Sequence, residues 1–174
     1  MTPAKSKKPQ RIIIFKVALS DQKDIWRRIA ISAEQTLDDL HEAIFQAFDR
    51  EEEHLYSFYF PQPGKKGRAA LRDAVEYSHP FMLDEPTSFD EEVPRNAAET
   101  RLSKLDLKPR QTFKYLFDFG DSWWHDITVQ AIDAAPEPGR YPRVLERHGE
   151  SPPQYPDPDE EGDDEEEDEE EEEE

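Results

Sequence analysis

No cysteine occurs anywhere in the 174 residues. Disulfide bonds and thiolate metal sites are therefore both excluded, and the lack of disulfides fits a reducing compartment. No apolar run approaches the roughly 18 residues that a bilayer-spanning helix needs. The run Ile12–Phe15, behind the basic start MTPAKSKKPQ, is too short for the core of a signal peptide. These absences predict a soluble cytoplasmic protein with no membrane partner. Catalytic signatures are missing as well: neither GxSxG nor HExxH is present, and no Ser-His-Asp order stands out. Asp118-Phe119-Gly120 spells the kinase metal-binding triplet, but without a glycine-rich loop or HRD the match is chance.

Negative charge, by contrast, is abundant and unevenly placed. The formal net charge is −20, yet sixteen of the eighteen residues from Asp157 to Glu174 are acidic. Without those sixteen charges, residues 1–156 carry −4, so the body of the chain is nearly balanced. Like charges repel and cannot build a core, which predicts a disordered acidic tail over 156–174. Residues 1–10, with Lys5, Lys7 and Lys8, read as a disordered basic arm. An acidic tail on a near-neutral domain is suited to attracting a basic protein partner. The same tail opposes direct nucleic-acid binding, for which the sequence offers no large basic surface. Trp26, Trp124 and Arg28 can stack on bases, but covering a hydrophobic rim is the commoner use. PGKKGR, with Arg68 and Arg72, reads as a solvated basic loop.

Between arm and tail, residues 11–155 read as one domain. Arg11–Leu19 alternates as a strand, with Ile13, Phe15, Val17 and Leu19 on one face. A second strand, IWRRIAI, follows the SDQKD loop, pairs Phe15 with Ile29 and sends Trp26 and Arg28 to the other side. Thr36–Phe48 carries the strongest helical signal. Thr36 is a good N-cap, Asp38 and Asp39 suit the positive end of the dipole, and Leu37, Leu40, Ile44 and Phe48 form one stripe. At about 100° per residue His41 falls within that stripe, as a core histidine with a hydrogen bond. His54–Phe60 resumes as an aromatic strand. Residues 61–100 show no clean period and predict irregular structure, with a short helix near Ala97–Leu105. The Pro-rich YPRVLERHGESPP is expected to cross the surface in extended form.

Thr112–Asp118 and Trp123–Ile132 read as a hairpin. A two-residue turn would place the two apolar faces on opposite sides of the sheet. A three-residue loop, Phe119–Asp121, pairs Phe117 with Trp123, Tyr115 with His125 and Phe113 with Ile127. It predicts Gly120 at positive φ and His125 on the buried face. The chemistry-bearing set here is Asp118, Asp121, His125 and Asp126, with His54 within reach if its strand is a neighbour. Imidazole and carboxylate together suffice for a zinc, manganese or iron site, or an acid–base pair. The alternative is structural: Asp118 and Asp121 close the turn on backbone N–H groups while His125 satisfies Tyr115 or a buried carbonyl.

The segment DFGDSWWHDI, together with TLDDLHEAIFQAF, HLYSFYF and YPRVLE…SPP, resembles the Ri-plasmid ORF-three-like family. Its members are also known as passenger proteins of insertion elements. The likeness covers about residues 11–155. Its hallmark positions fall on Asp118, Phe119, Gly120, Asp121, Trp123 and His125, with Leu40, His41, His54 and Leu55 upstream. The resemblance implies an α+β fold in which a largely antiparallel, roll-like sheet is packed by one main helix and short helices. Many relatives carry a Cys-containing segment near the C-terminus; here that stretch is Glu150-Ser151-Pro152-Pro153-Gln154-Tyr155, without thiols. The resemblance names no reaction and no cofactor. The leading expectation is a non-enzymatic interaction or accessory module associated with mobile genetic elements. Its alternative is a metal-dependent, hydrolase-like enzyme with Asp121, His125 and His54 as ligands, or His41 in place of His54.

Overall fold

A computed structural model describes residues 11–84 and 94–155; the basic arm and the acidic tail anticipated above lie outside the described residues. The first two strands, β1 (Ile12–Leu19) and β2 (Trp26–Ser32), pair antiparallel with Phe15 opposite Ile29. Strict alternation sends Phe15, Val17, Ile29 and Ile31 into the core, each essentially inaccessible. Helix α1 (Leu37–Ala47) then packs its apolar stripe over that face. A reciprocal cap starts it: the Thr36 hydroxyl accepts from Asp39 N at 3.2 Å, and the Asp39 carboxylate accepts from Thr36 N at 2.9 Å. Such a box satisfies two of the otherwise unpaired first-turn donors.

The remaining elements are β3 (Tyr56–Phe60), α2 (Gly67–Arg72), β4 (Val75–Ser78), β5 (Arg95–Asn96), β6 (Thr112–Phe117), β7 (Trp123–Ala134) and β8 (Arg143–His148). All eight strands join one sheet in the order β5-β4-β3-β6-β7-β1-β2-β8. Every pairing is antiparallel except β4 with β5. The architecture is thus mixed α and β, with a mostly antiparallel sheet and few helices. Its core is unusually aromatic: Phe113 stacks on Phe60 at 4.3 Å and meets Phe15 edge-on at 5.7 Å, while Phe58 lies 4.8 Å from Tyr115. Fully burying each such side chain is worth roughly 2–3 kcal/mol.

Two expectations need correction and a third is refined. The 61–100 stretch is not simply irregular, because α2 and β4 form within it and β4 extends the sheet beside β3. The short helix expected near Ala97–Leu105 takes the form of two 3-10 turns, Ala97–Glu99 and Leu102–Lys104. YPRVLERH does not merely cross the surface: Arg143–His148 pairs with β2 as an edge strand. The β4–β3 and β8–β2 pairings join segments separated in sequence, which local periodicity does not record.

One inward position ran against polarity. Arg27, on the same face as Ile29 and Ile31, is 2% exposed. Its guanidinium donates to the Ala47, Trp26 and His148 carbonyls and to Ser151 Oγ, all at 2.8–2.9 Å. It thereby caps the C-terminal end of α1, where carbonyls lack partners and a positive charge is favoured.

Candidate functional site

The hairpin β6–β7 adopts the register read from parity, with Phe117 opposite Trp123, Tyr115 opposite His125 and Phe113 opposite Ile127. Its turn is built differently from the expectation. Asp118 (φ 63°) and Ser122 (φ 56°) take the left-handed conformation, and Gly120 does not. Asp118 tolerates it because its Oδ1 accepts from Gly120 N at 3.0 Å and Asp121 N at 3.3 Å, closing the loop as an aspartate turn. Asp121 is exposed.

His125 is fully buried, and both its ring nitrogens are engaged. Arg50 Nη2 lies 2.7 Å from Nε2, and the Tyr115 carbonyl lies 3.3 Å from Nδ1. Arginine can only donate, so Nε2 accepts and the ring proton sits on Nδ1. Burial, then the Arg50 charge, drives the His125 pKa well below its ordinary value. Arg50 is itself buried, and burial brings it down to about 10. No carboxylate among the described residues pairs with it. Its guanidinium instead lies over the rings of Phe117, Phe48 and Trp123 at 4.8, 5.3 and 5.4 Å. Cation–π contact partly replaces the lost hydration. Arg50 Nη1 and Trp123 Nε1 remain buried without a partner. The Nε2 lone pair of His125 is thus engaged by Arg50. The side chains of Asp121, His125 and His54 form no common ligand cluster among the described residues.

The polar groups converge elsewhere, in an open cleft of about 570 Å³ between α1 and the loop leading into β3. Asp38 and Glu42 stand one helical turn apart on α1, Glu53 and His54 face them from the loop, and His41 and His79 complete the lining. His41 belongs to both core and cleft. Its ring stacks on Tyr56 at 3.9 Å, its Nδ1 is 2.6 Å from the Tyr115 hydroxyl, and its Nε2 is 3.0 Å from Glu53 Oε2 and 4.0 Å from Glu42 Oε1. Burial holds its pKa down to about 3, so the imidazole is neutral. Partial burial, followed by the charges of Glu42 and Asp38, raises Glu53 to about 7. Tyr56 donates to Asp38 at 2.5 Å. No lysine or arginine among the described residues forms a salt bridge with Asp38, Glu42 or Glu53.

His54 sits at the rim, 3.5 Å from Asp118 Oδ2 and 2.5 Å from the Tyr155 hydroxyl, which also donates to Glu52 at 3.0 Å. Of the residues singled out in the sequence, then, His54 and Asp118 meet at the cleft edge and His41 lies at its floor. Gly120 and Asp121 stay in the exposed turn, while Trp123 and His125 pack around Arg50. Sequence reasoning missed Glu42, Glu53 and Arg50. The only local hint was the Asp38/Glu42 spacing on one helix face, which a solvated helix shows equally often.

Residues 11–157 match the family described as plasmid pRiA4b ORF-3-like protein. The chain is also similar to the uncharacterized protein y4hQ of Sinorhizobium fredii (strain NBRC 101917 / NGR234), with 30% identity over 149 residues. That match takes in 82% of this chain and 65% of the relative, so the chain spans less than two thirds of that protein's length. Among solved structures it is similar to the protein of unknown function MM3350 from Methanosarcina mazei Go1, with a TM-score of 0.63 and 22% identity. That alignment covers 84% of this chain and 74% of the other; at such identity it shows a shared fold. With the match running through all of the described residues, the chain belongs to the plasmid pRiA4b ORF-3-like protein family.

Proposed function

We propose that this protein is an interaction module whose acidic cleft seats a lysine or arginine side chain of a basic partner. The observation that carries this reading is the set of three carboxylates, Asp38, Glu42 and Glu53, gathered around a ligand-sized space with no basic counterion among the described residues. Such a site holds uncompensated negative potential, and Glu53 relieves part of it by taking a proton near neutrality. The acidic run from Asp157 begins just beyond Tyr155, whose hydroxyl is bonded at the cleft rim. Its charge steers a basic segment toward the cleft and raises the association rate. A cytoplasmic setting belongs to this proposal and is supported by the absence of cysteine. A mobile-element setting belongs to it too, supported by the plasmid origin in the family's description.

Fluorescence anisotropy with a labelled arginine- and lysine-rich peptide, in excess chelator, tests the reading. Binding should weaken as salt rises, and by about tenfold in Asp38→Asn/Glu42→Gln/Glu53→Gln, as expected for three partly exposed ion pairs. Truncation after Tyr155 should slow association. Equal affinity in the triple variant, or indifference to salt, would overturn it.

A further inference from the structure

We propose that the floor of this cleft is a divalent-metal site formed by His41 Nε2, Glu42 and Glu53, suited to a borderline ion such as Zn²⁺ or Mn²⁺. The inference goes beyond the basic-partner reading and does not depend on it, since a metal can bind in a cleft that no peptide enters.

The geometry comes first. One ligand atom from each residue lies within 4.8 Å of the others. Two atoms each about 2.1 Å from a common ion can be at most about 4.2 Å apart. The His41–Glu53 and His41–Glu42 separations, 3.0 and 4.0 Å, already satisfy that limit. Glu42 and Glu53 are half exposed, so side-chain rotation can close the rest without disturbing the core. One imidazole nitrogen and two carboxylate oxygens form a mixed set that favours zinc or manganese over purely oxygen-seeking ions.

The second argument is support from behind. His41 is 1% exposed and is held by the Tyr56 stack and the Tyr115 hydroxyl, so only Nε2 faces the carboxylates. Metal-binding histidines are oriented in this way, with the far nitrogen hydrogen-bonded to a buried group. The protons balance. Without metal, Tyr115 donates to Nδ1 and Nε2–H donates to Glu53. With metal, the ring proton moves to Nδ1 and is donated to the Tyr115 oxygen, whose own O–H turns away from the ring, and Glu53 releases the proton it carries near neutrality to solvent, so His41 remains neutral while Nε2 binds the ion. A buried histidine whose free edge meets two carboxylates is more than a solvated acidic patch. Three protein ligands leave coordination positions open toward the cleft, the pattern of sites where water or a ligand completes the shell.

The test is calorimetric titration of the chelator-stripped full chain with Zn²⁺ and Mn²⁺ separately, with Co²⁺ absorption as a spectroscopic reporter. The expected result is one equivalent bound per chain, with affinity falling at least tenfold in Glu42→Gln and in Glu53→Gln, both of which retain the acidic tail. The Co²⁺ d–d bands should be lost in His41→Gln. That variant alters a core position, so the two glutamate variants, at half-exposed positions, keep the test decisive if it fails to fold. Binding that is unchanged in both glutamate variants would assign the metal to the tail and overturn the proposal. Absence of saturable one-to-one binding in the wild type would also overturn it. Neither result bears on peptide binding measured in chelator.

Discussion

His125, a candidate ligand in the sequence, is held in the fold by a residue the sequence did not single out, Arg50. Arg50 places a cation in the core with one neutral acceptor and three aromatic faces. Removing that acceptor leaves a buried charge without its hydrogen bond and a void beside Phe48. His125→Ala is therefore expected to cost about 3 kcal/mol, summing a lost charge-assisted bond and the cavity. Arg50→Met should cost less, because the charge that needs a partner goes with it. Denaturant unfolding of both variants checks the order. The same pair sets a pH dependence. His125 has its pKa depressed in the folded chain, so below about pH 6.5 the unfolded chain binds the extra proton. This group's contribution to stability should be fully present above that value and decline as the pH falls from 7 to 5. The difference between the unfolding midpoints at pH 7 and pH 5 should be smaller in His125→Ala than in wild type; an equal difference would assign the effect to other groups.

At the scale of elements, the hairpin turn and α1 position everything else. The turn places its left-handed residues at Asp118 and Ser122, flanking the glycine rather than on it. At Asp118 the carboxylate compensates by capping two N–H groups, whereas the Ser122 hydroxyl makes only a long 3.4 Å hydrogen bond to the Phe119 carbonyl. Ser122→Gly should thus stabilise the protein by up to about 1 kcal/mol. Gly120→Ala should be mildly destabilising, by less than about 1 kcal/mol: it sits at no positive φ, but the added methyl meets at 3.3 Å the Asp118 Oδ1 that closes the turn. Thermal unfolding of the two variants distinguishes this turn from one that depends on the glycine. Helix α1 contributes by its pitch: His41 turns inward to the sheet while Asp38 and Glu42 line the adjacent flank.

For the molecule as a whole, long-range ties link the C-terminal strap to the loop beside the cleft. Gln154 Oε1 accepts from Glu51 N and Glu52 N at 2.8 and 3.1 Å, and its amide donates to the Glu52 carbonyl at 2.8 Å. Ser151 accepts from Arg27 and donates to Asp49. The strap thereby shapes the segment that carries Glu53 and His54. Gln154→Ala should cost about 2 kcal/mol by leaving three backbone groups unpaired, and should speed amide exchange at Glu51 and Glu52. Exchange rates unchanged from wild type would show that the loop holds its form without the strap. No helix among the described residues is long and apolar enough to cross a membrane.

Sequence alone determined the features that a short backbone period dictates. Alternation set the inward faces of β1, β2, β6 and β7, parity set the Tyr115–His125 register, and a 3.6-residue stripe with a Thr36 cap set α1. In each case the side-chain direction follows from neighbours a few positions away. Tertiary structure decided what depends on distant partners: β8 on β2, β4 beside β3, the carbonyls and Ser151 that receive the inward Arg27, and Arg50 finding His125 across 75 positions. It also decided the cleft, because His41 and Glu42 come from a helix, Glu53 from a loop and the supporting Tyr115 from a strand 74 residues beyond His41. Their shared chemistry arises only when chain folding overcomes the desolvation and mutual repulsion of those groups, an energy no local pattern records.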